Sequence, residues 1–310
     1  MTEQHLRVSA APSWRDFLEL CKPRVVALIV FTALIGMLLA TPTLVPLDLL
    51  LVANLGIALA AGSAAAINHV AEHRIDALMA RTKNRPLPQG ELTPRQALAF
   101  ALVLGGISMY LLVAFVNVLT AVLTFLSLIG YAVIYTMYLK RATPQNIVIG
   151  GAAGAAPPVL GWTAVTGTLD PHALLLFLII FAWTPPHFWA RAIYRRKDYE
   201  RAFAEGGVPM LPITHGTGFT RLHVLLYTIL LVAVTLLPYA TYMCGLIYLV
   251  SAMALNGVFL YYAIRMQFDE TDRYAWVTFK YSILYLTLLF VALFADHYWP
   301  LVRAAFFAPT

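Results

Sequence analysis

Asp48-Leu-Leu-Leu-Val-Ala-Asn-Leu-Gly-Ile-Ala-Leu-Ala-Ala-Gly-Ser-Ala-Ala-Ala-Ile67 runs unbroken into Asn68-His-Val-Ala-Glu72-His-Arg-Ile-Asp76. After Asp48 the first part holds no charge, and as a helix it is long enough to cross ~30 Å of hydrocarbon. In the second part Asn68, Glu72 and Asp76 recur at i, i+4 and i+8. A helix continuing out of the span therefore carries all three on one face. Ionisable groups at the end of an apolar span are expensive and tend to be functional, so a site is favoured here over a solvated helix end with ordinary salt bridges.

Apolar runs of similar length recur outward from this stretch, near 25–41, 48–67, 96–115, 118–138, 146–165, 172–190, 221–238, 243–264 and 281–301. The turns near 42–47, 116–117, 166–171 and 239–242 contain no Lys or Arg. All but Arg221, at the cytoplasmic edge of the run 221–238, and Arg303 of the 21 Lys and Arg residues lie in the N-terminal segment or in 68–95, 139–145, 191–220 and 265–280. The positive-inside rule puts those segments in the cytoplasm and the C-terminus outside. Nine spans reconcile the two ends, whereas a count shifted by one would put basic loops on both faces. The expectation is an all-α, polytopic membrane protein of about nine transmembrane helices around a central cavity. It forms one transmembrane domain over 1–310, with a cytoplasmic segment 1–20 and catalytic loops 68–95 and 191–220.

Composition agrees. Of 310 residues 61% are hydrophobic and 12% charged, against about 25% charged in a soluble domain; mean hydropathy is +0.76. The net charge of +6 has no soluble basic domain to carry it, so it reads as topology information and not as nucleic-acid binding. Cys21 and Cys244 match no metal or redox spacing. Residues 1–20 lack the pattern of a cleaved signal peptide. The small residues Ala60–Ala66, Gly150, Gly151 and Gly154 mark close helix packing.

The acid row suits Mg²⁺, which takes one or two carboxylates and completes its shell with water and substrate phosphate oxygens. Arg81, Lys83 and Arg85 follow within two turns and could grip those phosphates. A second cluster closes span six, where Pro185-Pro186-His187 breaks or kinks the helix. Arg191, Tyr194 and Asp198 then share a face, beside Arg195, Arg196 and Lys197. For Asp198, a simple ion pair with Lys197 or Arg201 is an even alternative. A lone His such as His187 is often just hydrogen-bonded in a core, although neutral imidazole also ligates haem iron. Lys22-Pro-Arg24 and Lys140-Arg141-Ala-Thr143-Pro-Gln145-Asn146 complete a basic ring that also serves as anchoring. The two acid-and-base clusters lie about 120 residues apart, as in a repeated half-site construction.

Asn68-xxx-Glu72-xxx-Asp76 followed by Arg81-Thr-Lys83-Asn-Arg85-Pro-Leu87 resembles the first motif of the UbiA-type intramembrane prenyltransferases. Lys140-Arg141-xx-Pro144-Gln145-Asn146, Gly150-Gly-Ala-Ala-Gly-Ala-Ala-Pro157-Pro158, Pro186-His187, Lys197-Asp198-Tyr199 and Val208-Pro-Met-Leu-Pro212 resemble its haem-farnesylating branch. The resemblance implies transfer of the farnesyl group of farnesyl diphosphate to a vinyl group of haem B, giving haem O and diphosphate. It implies Mg²⁺ on Asn68, Glu72, Asp76 and Asp198, with Arg81, Lys83, Arg85, Lys197 and Tyr194 in catalysis. It also implies substrate contacts from Asn68, Lys140, Arg141 and His187. A bacterial inner-membrane enzyme with a cytoplasmic active site follows from it, partnered by membrane lipid and by a haem A synthase or another haem-pathway protein. Glu72 stands where many relatives carry Asp, and 200–207 is longer than the family pattern. The competing readings are a relative acting on a quinone-precursor ring and, from another class, a membrane transporter. Charges confined to the rim argue against an ion pathway.

Overall fold

The computed structural model describes residues 12–78, 82–205 and 207–307. Of the described residues 84% are helical, and no strand occurs among them. Among the described residues eight helices are long and apolar enough to span a membrane, or nine when the pair Trp14–Leu20 and Pro23–Leu39, bent by 54°, counts as one. Each predicted span has its helix.

The helices are α1 (Trp14–Leu20), α2 (Pro23–Leu39), α3 (Leu47–Leu78), α4 (Pro86–Gln89), α5 (Pro94–Phe115), α6 (Val118–Ile129), α7 (Lys140–Ala142), α8 (Asn146–Ala155), α9 (Pro157–Thr166), α10 (Pro171–Tyr194), α11 (Arg196–Ala204), α12 (Leu211–Thr214), α13 (Gly216–Ala240), α14 (Leu246–Gln267) and α15 (Arg273–Phe307). Between α6 and α7, Gly130–Leu139 is π-helical. Proline at the first turn starts α2, α4, α5, α9 and α10, where its missing N–H costs no hydrogen bond. Capping boxes from Ser13 and Thr93 open α1 and α5.

In lipid, apolar burial gives helices little reason to associate, so close approach and internal polar bonds do that work. Gly36 and Gly161 interlock α2 and α9: a Cβ on Gly36 would overlap the Pro158 carbonyl, and one on Gly161 the Ala33 carbonyl. Ser63 donates to the Ala101 carbonyl at 2.7 Å and Ser108 to the Gly56 carbonyl at 2.6 Å, fastening α3 to α5. Asn256 donates to Thr235 Oγ1 at 2.8 Å and accepts from the Tyr285 hydroxyl at 2.7 Å, joining α13, α14 and α15. Among the candidate spans of the described residues the most enclosed is α10, packed between α8, α13 and α15.

Cross-links at the two ends differ in kind. The end with the basic loops is held by charged contacts, such as Arg221 on Asp272 at 2.8 Å. At the other end His297 Nε2 meets the Thr41 carbonyl at 2.9 Å, and Asn117 donates to the Thr163 carbonyl at 2.9 Å. A cavity of about 250 Å³, lined by Leu39, Pro42, Trp162, His172, Tyr242 and His297, opens at this second end, away from the acid row. Cys21 and Cys244 are both free thiols.

Candidate active site

The acid row lies within one uninterrupted helix, α3, because no glycine or proline follows Gly62 before Leu78. Asn68 and Asp76 are buried, at 2% and 5% exposure, on a face turned into the bundle. Each of the three donors is met by a cation from a different element. Lys22 sits in the break between α1 and α2 with φ 51°, a left-handed backbone rare for a residue with a side chain. That turn delivers its ammonium to Asn68 Oδ1 at 2.6 Å. Lys140, from α7, forms an ion pair with Glu72. Arg85, just before α4, reaches Asp76 at 2.6 Å. The Thr82 hydroxyl donates to the Asp76 backbone carbonyl at 2.8 Å, folding residues 82–85 back against α3.

The π-helical segment sets the register of the opposite wall. Asn68 Nδ2 donates to Thr136 Oγ1 at 3.3 Å, and the Thr136 hydroxyl donates to the Tyr131 carbonyl five residues back. Thr136 and Lys140 are four residues apart, as are their partners Asn68 and Glu72. The two helices therefore run parallel and in step along the site. Tyr131 and Tyr135 stack 5.5 Å apart beside them.

The second cluster is built differently from the expectation that Arg191, Tyr194 and Asp198 share one helix face. Helix α10 ends at Tyr194, the chain turns at Arg195, and Asp198 belongs to the separate helix α11. Asp198 lies between Arg195 and Arg201, each 3.6 Å away. The Tyr194 ring stacks on Trp276 at 4.7 Å, and Lys197 is exposed. Lys83 and Arg141 are exposed as well, whereas Arg81 lies outside the described residues. Among the described residues no three His, Cys, Asp or Glu side chains gather as a ready cage.

Helix α10 continues through Pro185 and Pro186 instead of breaking there. His187, 7% exposed, stacks on Trp183 at 4.3 Å and packs against Phe279 at 4.8 Å and Phe188 at 4.8 Å. Its Nδ1 lies 2.6 Å from Ser282 Oγ, and Arg191 lies over the Phe279 ring at 5.2 Å. A row on α10 (Trp183, His187, Arg191) thus meets a row on α15 (Phe279, Ser282). Sequence reasoning missed the contribution of α15, as it did those of Thr136 and of the Lys22 turn. Thr136, Phe279 and Ser282 carry no charge, Lys22 shows only as part of a basic patch, and pairing across helices leaves no periodic trace.

A family model described as the UbiA prenyltransferase family matches residues 29–289. The protoheme IX farnesyltransferase of Methylococcus capsulatus is 63% identical over 286 residues, covering 92% of this chain and 95% of that protein. Among solved structures, a digeranylgeranylglyceryl phosphate synthase superposes with TM-score 0.74 at 19% identity, over 91% of this chain and 98% of that one. A UbiA homologue from Archaeoglobus fulgidus bound to GPP and Mg²⁺ superposes with TM-score 0.57 at 15% identity, over 90% and 99%. The solved structures share the fold, and the family model covers most of the spans and the whole acid row. The chain belongs to the UbiA prenyltransferase family.

Proposed function

We propose that the chain transfers the farnesyl group of farnesyl diphosphate to a vinyl group of haem B, giving haem O and diphosphate. The reading rests on the 63% identity to a protein named protoheme IX farnesyltransferase, over nearly the full length of both. The observation in the fold that carries it is the matched row in which Asn68, Glu72 and Asp76 are each held by a cation from another element. An arriving diphosphate offers those cations a more highly charged partner. The same exchange frees the amide and carboxylate oxygens of α3.

These oxygens fit Mg²⁺, since the ion needs only one or two carboxylates when phosphate oxygens and water complete its shell. Asn68, Glu72 and Asp76 would hold it, with Asp198 approaching from α11. When bound, the ion neutralises charge on the departing diphosphate. Lys22, Lys140, Arg81 and Arg85 assist by binding the diphosphate oxygens as the allylic C–O bond breaks and its electron pair leaves with diphosphate. Lys83, Arg141, Lys197 and Tyr194 line the approach for both substrates. The haem vinyl group attacks the allylic carbon, and water then adds to the resulting cation with release of a proton. Burial of Asn68 and Asp76 excludes water from the ionisation step. The haem lies against His187 in apolar surroundings, with its propionates toward the basic rim.

The chain is an integral membrane protein; we infer that it resides in a bacterial inner membrane with its active site toward the cytoplasm, handing haem O to a haem A synthase or a similar protein. The test is pyridine haemochrome analysis of products from membranes given haem B and farnesyl diphosphate. Haem O formed only when Mg²⁺ is present is expected. Full conversion in excess chelator, or no farnesylated haem at all, overturns the reading.

A further inference from the structure

We propose that Ser282 is a positioning residue that holds His187 in a single tautomer, with Nδ1 protonated and the Nε2 lone pair free for haem iron. The inference rests on the reading of His187 as the haem contact and extends it to α15, where no role has been assigned.

The hydrogen bonds decide the tautomer. Ser282 Oγ lies 2.7 Å from the Phe279 backbone carbonyl, which can only accept. The single hydroxyl proton of Ser282 is therefore committed to that carbonyl. Were it turned toward His187, two oxygens with no proton between them would face each other at 2.7 Å. Ser282 must then accept at its other contact, 2.6 Å from His187 Nδ1, so Nδ1 carries the imidazole proton. In the neutral ring Nε2 is left with the lone pair. A histidine ligand to iron needs this arrangement, and such ligands usually donate their other N–H to a fixed acceptor.

Ring orientation is fixed by the same residues. The Trp183 indole N–H donates to the Ser282 backbone carbonyl at 2.8 Å, and the Trp183 ring lies within 20° of parallel to the imidazole. Phe279, whose carbonyl takes the serine proton, presents its ring to the imidazole at 4.8 Å. Ser282 is fully buried, so no solvent competes for its hydroxyl. One residue of α15 thus grips two consecutive turns of α10. A role confined to packing does not require the proton to be ordered along Phe279, Ser282 and His187, whereas a ligand histidine does.

Two measurements on the full-length protein in detergent test this. First, ¹⁵N NMR of histidine-labelled protein without haem, with His187 assigned by difference from His187→Gln, reads the tautomer directly. Wild type and Ser282→Thr should show protonated Nδ1, while Ser282→Val, equal to Thr in shape but lacking the hydroxyl, should lose that signature. Second, haem B titration followed by the Soret band and by the iron–histidine stretch should show Ser282→Val binding haem about 10–100-fold more weakly, with a shifted stretch, and Ser282→Thr restoring both. Identical NMR and haem spectra for Thr and Val overturn the positioning role. A tautomer change in Val without any change in haem binding, or an unchanged stretch in His187→Gln, overturns the haem reading of His187 while leaving the proton chain standing.

Discussion

At Asp76 one residue serves the fold and, on the proposed reading, the chemistry. Its carboxylate holds Arg85, and its own carbonyl holds Thr82. Asp76→Ala should therefore nearly abolish haem O formation, since Glu72 and Asn68 alone cannot hold a metal–diphosphate; full activity in that variant sinks the assignment. Arg85→Ala removes one charge-assisted contact, worth about 1.5–3 kcal/mol, hence about tenfold or more in rate. The loss should appear in farnesyl diphosphate use, with haem affinity retained; the opposite pattern reverses the roles. The acid row was legible in the sequence because i, i+4 spacing on an α-helix is itself a pattern. Lys22 was visible as a charge near the membrane, but its aim at Asn68 depends on a left-handed backbone turn that no propensity announces. Ser282 was invisible for a stronger reason. Its role is set by which atom holds a proton between two helices nearly a hundred residues apart in the chain.

At the scale of elements, the π-helical Gly130–Leu139 segment is what the periodic reading could not supply. It occupies the predicted fourth span, yet its wider turn moves Thr136 and Lys140 onto the face opposite Asn68 and Glu72. Such wide turns are frequent at functional sites. Deleting Gly130 would rotate the following residues by about 100° per residue removed and withdraw Lys140 from Glu72. Helix content by circular dichroism should persist while haem O formation falls to background; retained activity would mean that the register is not required. The glycines of α2 and α9 make a different kind of demand. Gly161→Ala forces a methyl group into the Ala33 carbonyl, and overpacking of this type costs about 1–3 kcal/mol. A lower thermal midpoint in detergent is expected, with the substrate affinities of the folded fraction unchanged. The start of α15 carries a further electrostatic cap. Asp269 accepts from the Thr271 hydroxyl and from the Thr271 and Tyr274 N–H groups. Partial burial alone would raise its pKa, but these bonds and nearby Arg221 outweigh it and hold the carboxyl below the ordinary Asp value. Its stabilisation is therefore complete above the unfolded value of about 3.9 and is lost as pH falls through the lower folded value. The difference in thermal midpoint between wild type and Asp269→Ala should shrink in that acid window and stay constant near neutrality.

For the whole molecule, the segregation of charge is the strongest organising fact, and it predicts which end faces which compartment. Every predicted basic loop joins helices at the end that holds the acid row, while the turns around Thr41, Gly167 and Tyr242 carry no Lys or Arg. Translocating a short loop with several cations is disfavoured, so the basic end should remain in the cytoplasm, where soluble farnesyl diphosphate is also met. The expected arrangement is checked in intact cells with a membrane-impermeant maleimide, in a background with Cys21 and Cys244 replaced by Ala. Tyr242 is 96% exposed in an outer turn, so Tyr242→Cys should be labelled from outside. Lys197→Cys, exposed beside Asp198, should react only after the cells are opened. Both sites are accessible to solvent in the fold, so a failure to label reports sidedness and not burial. Labelling in the reverse order would place the diphosphate site on the outer face, and would remove the cytoplasmic assignment without altering the fold or the family.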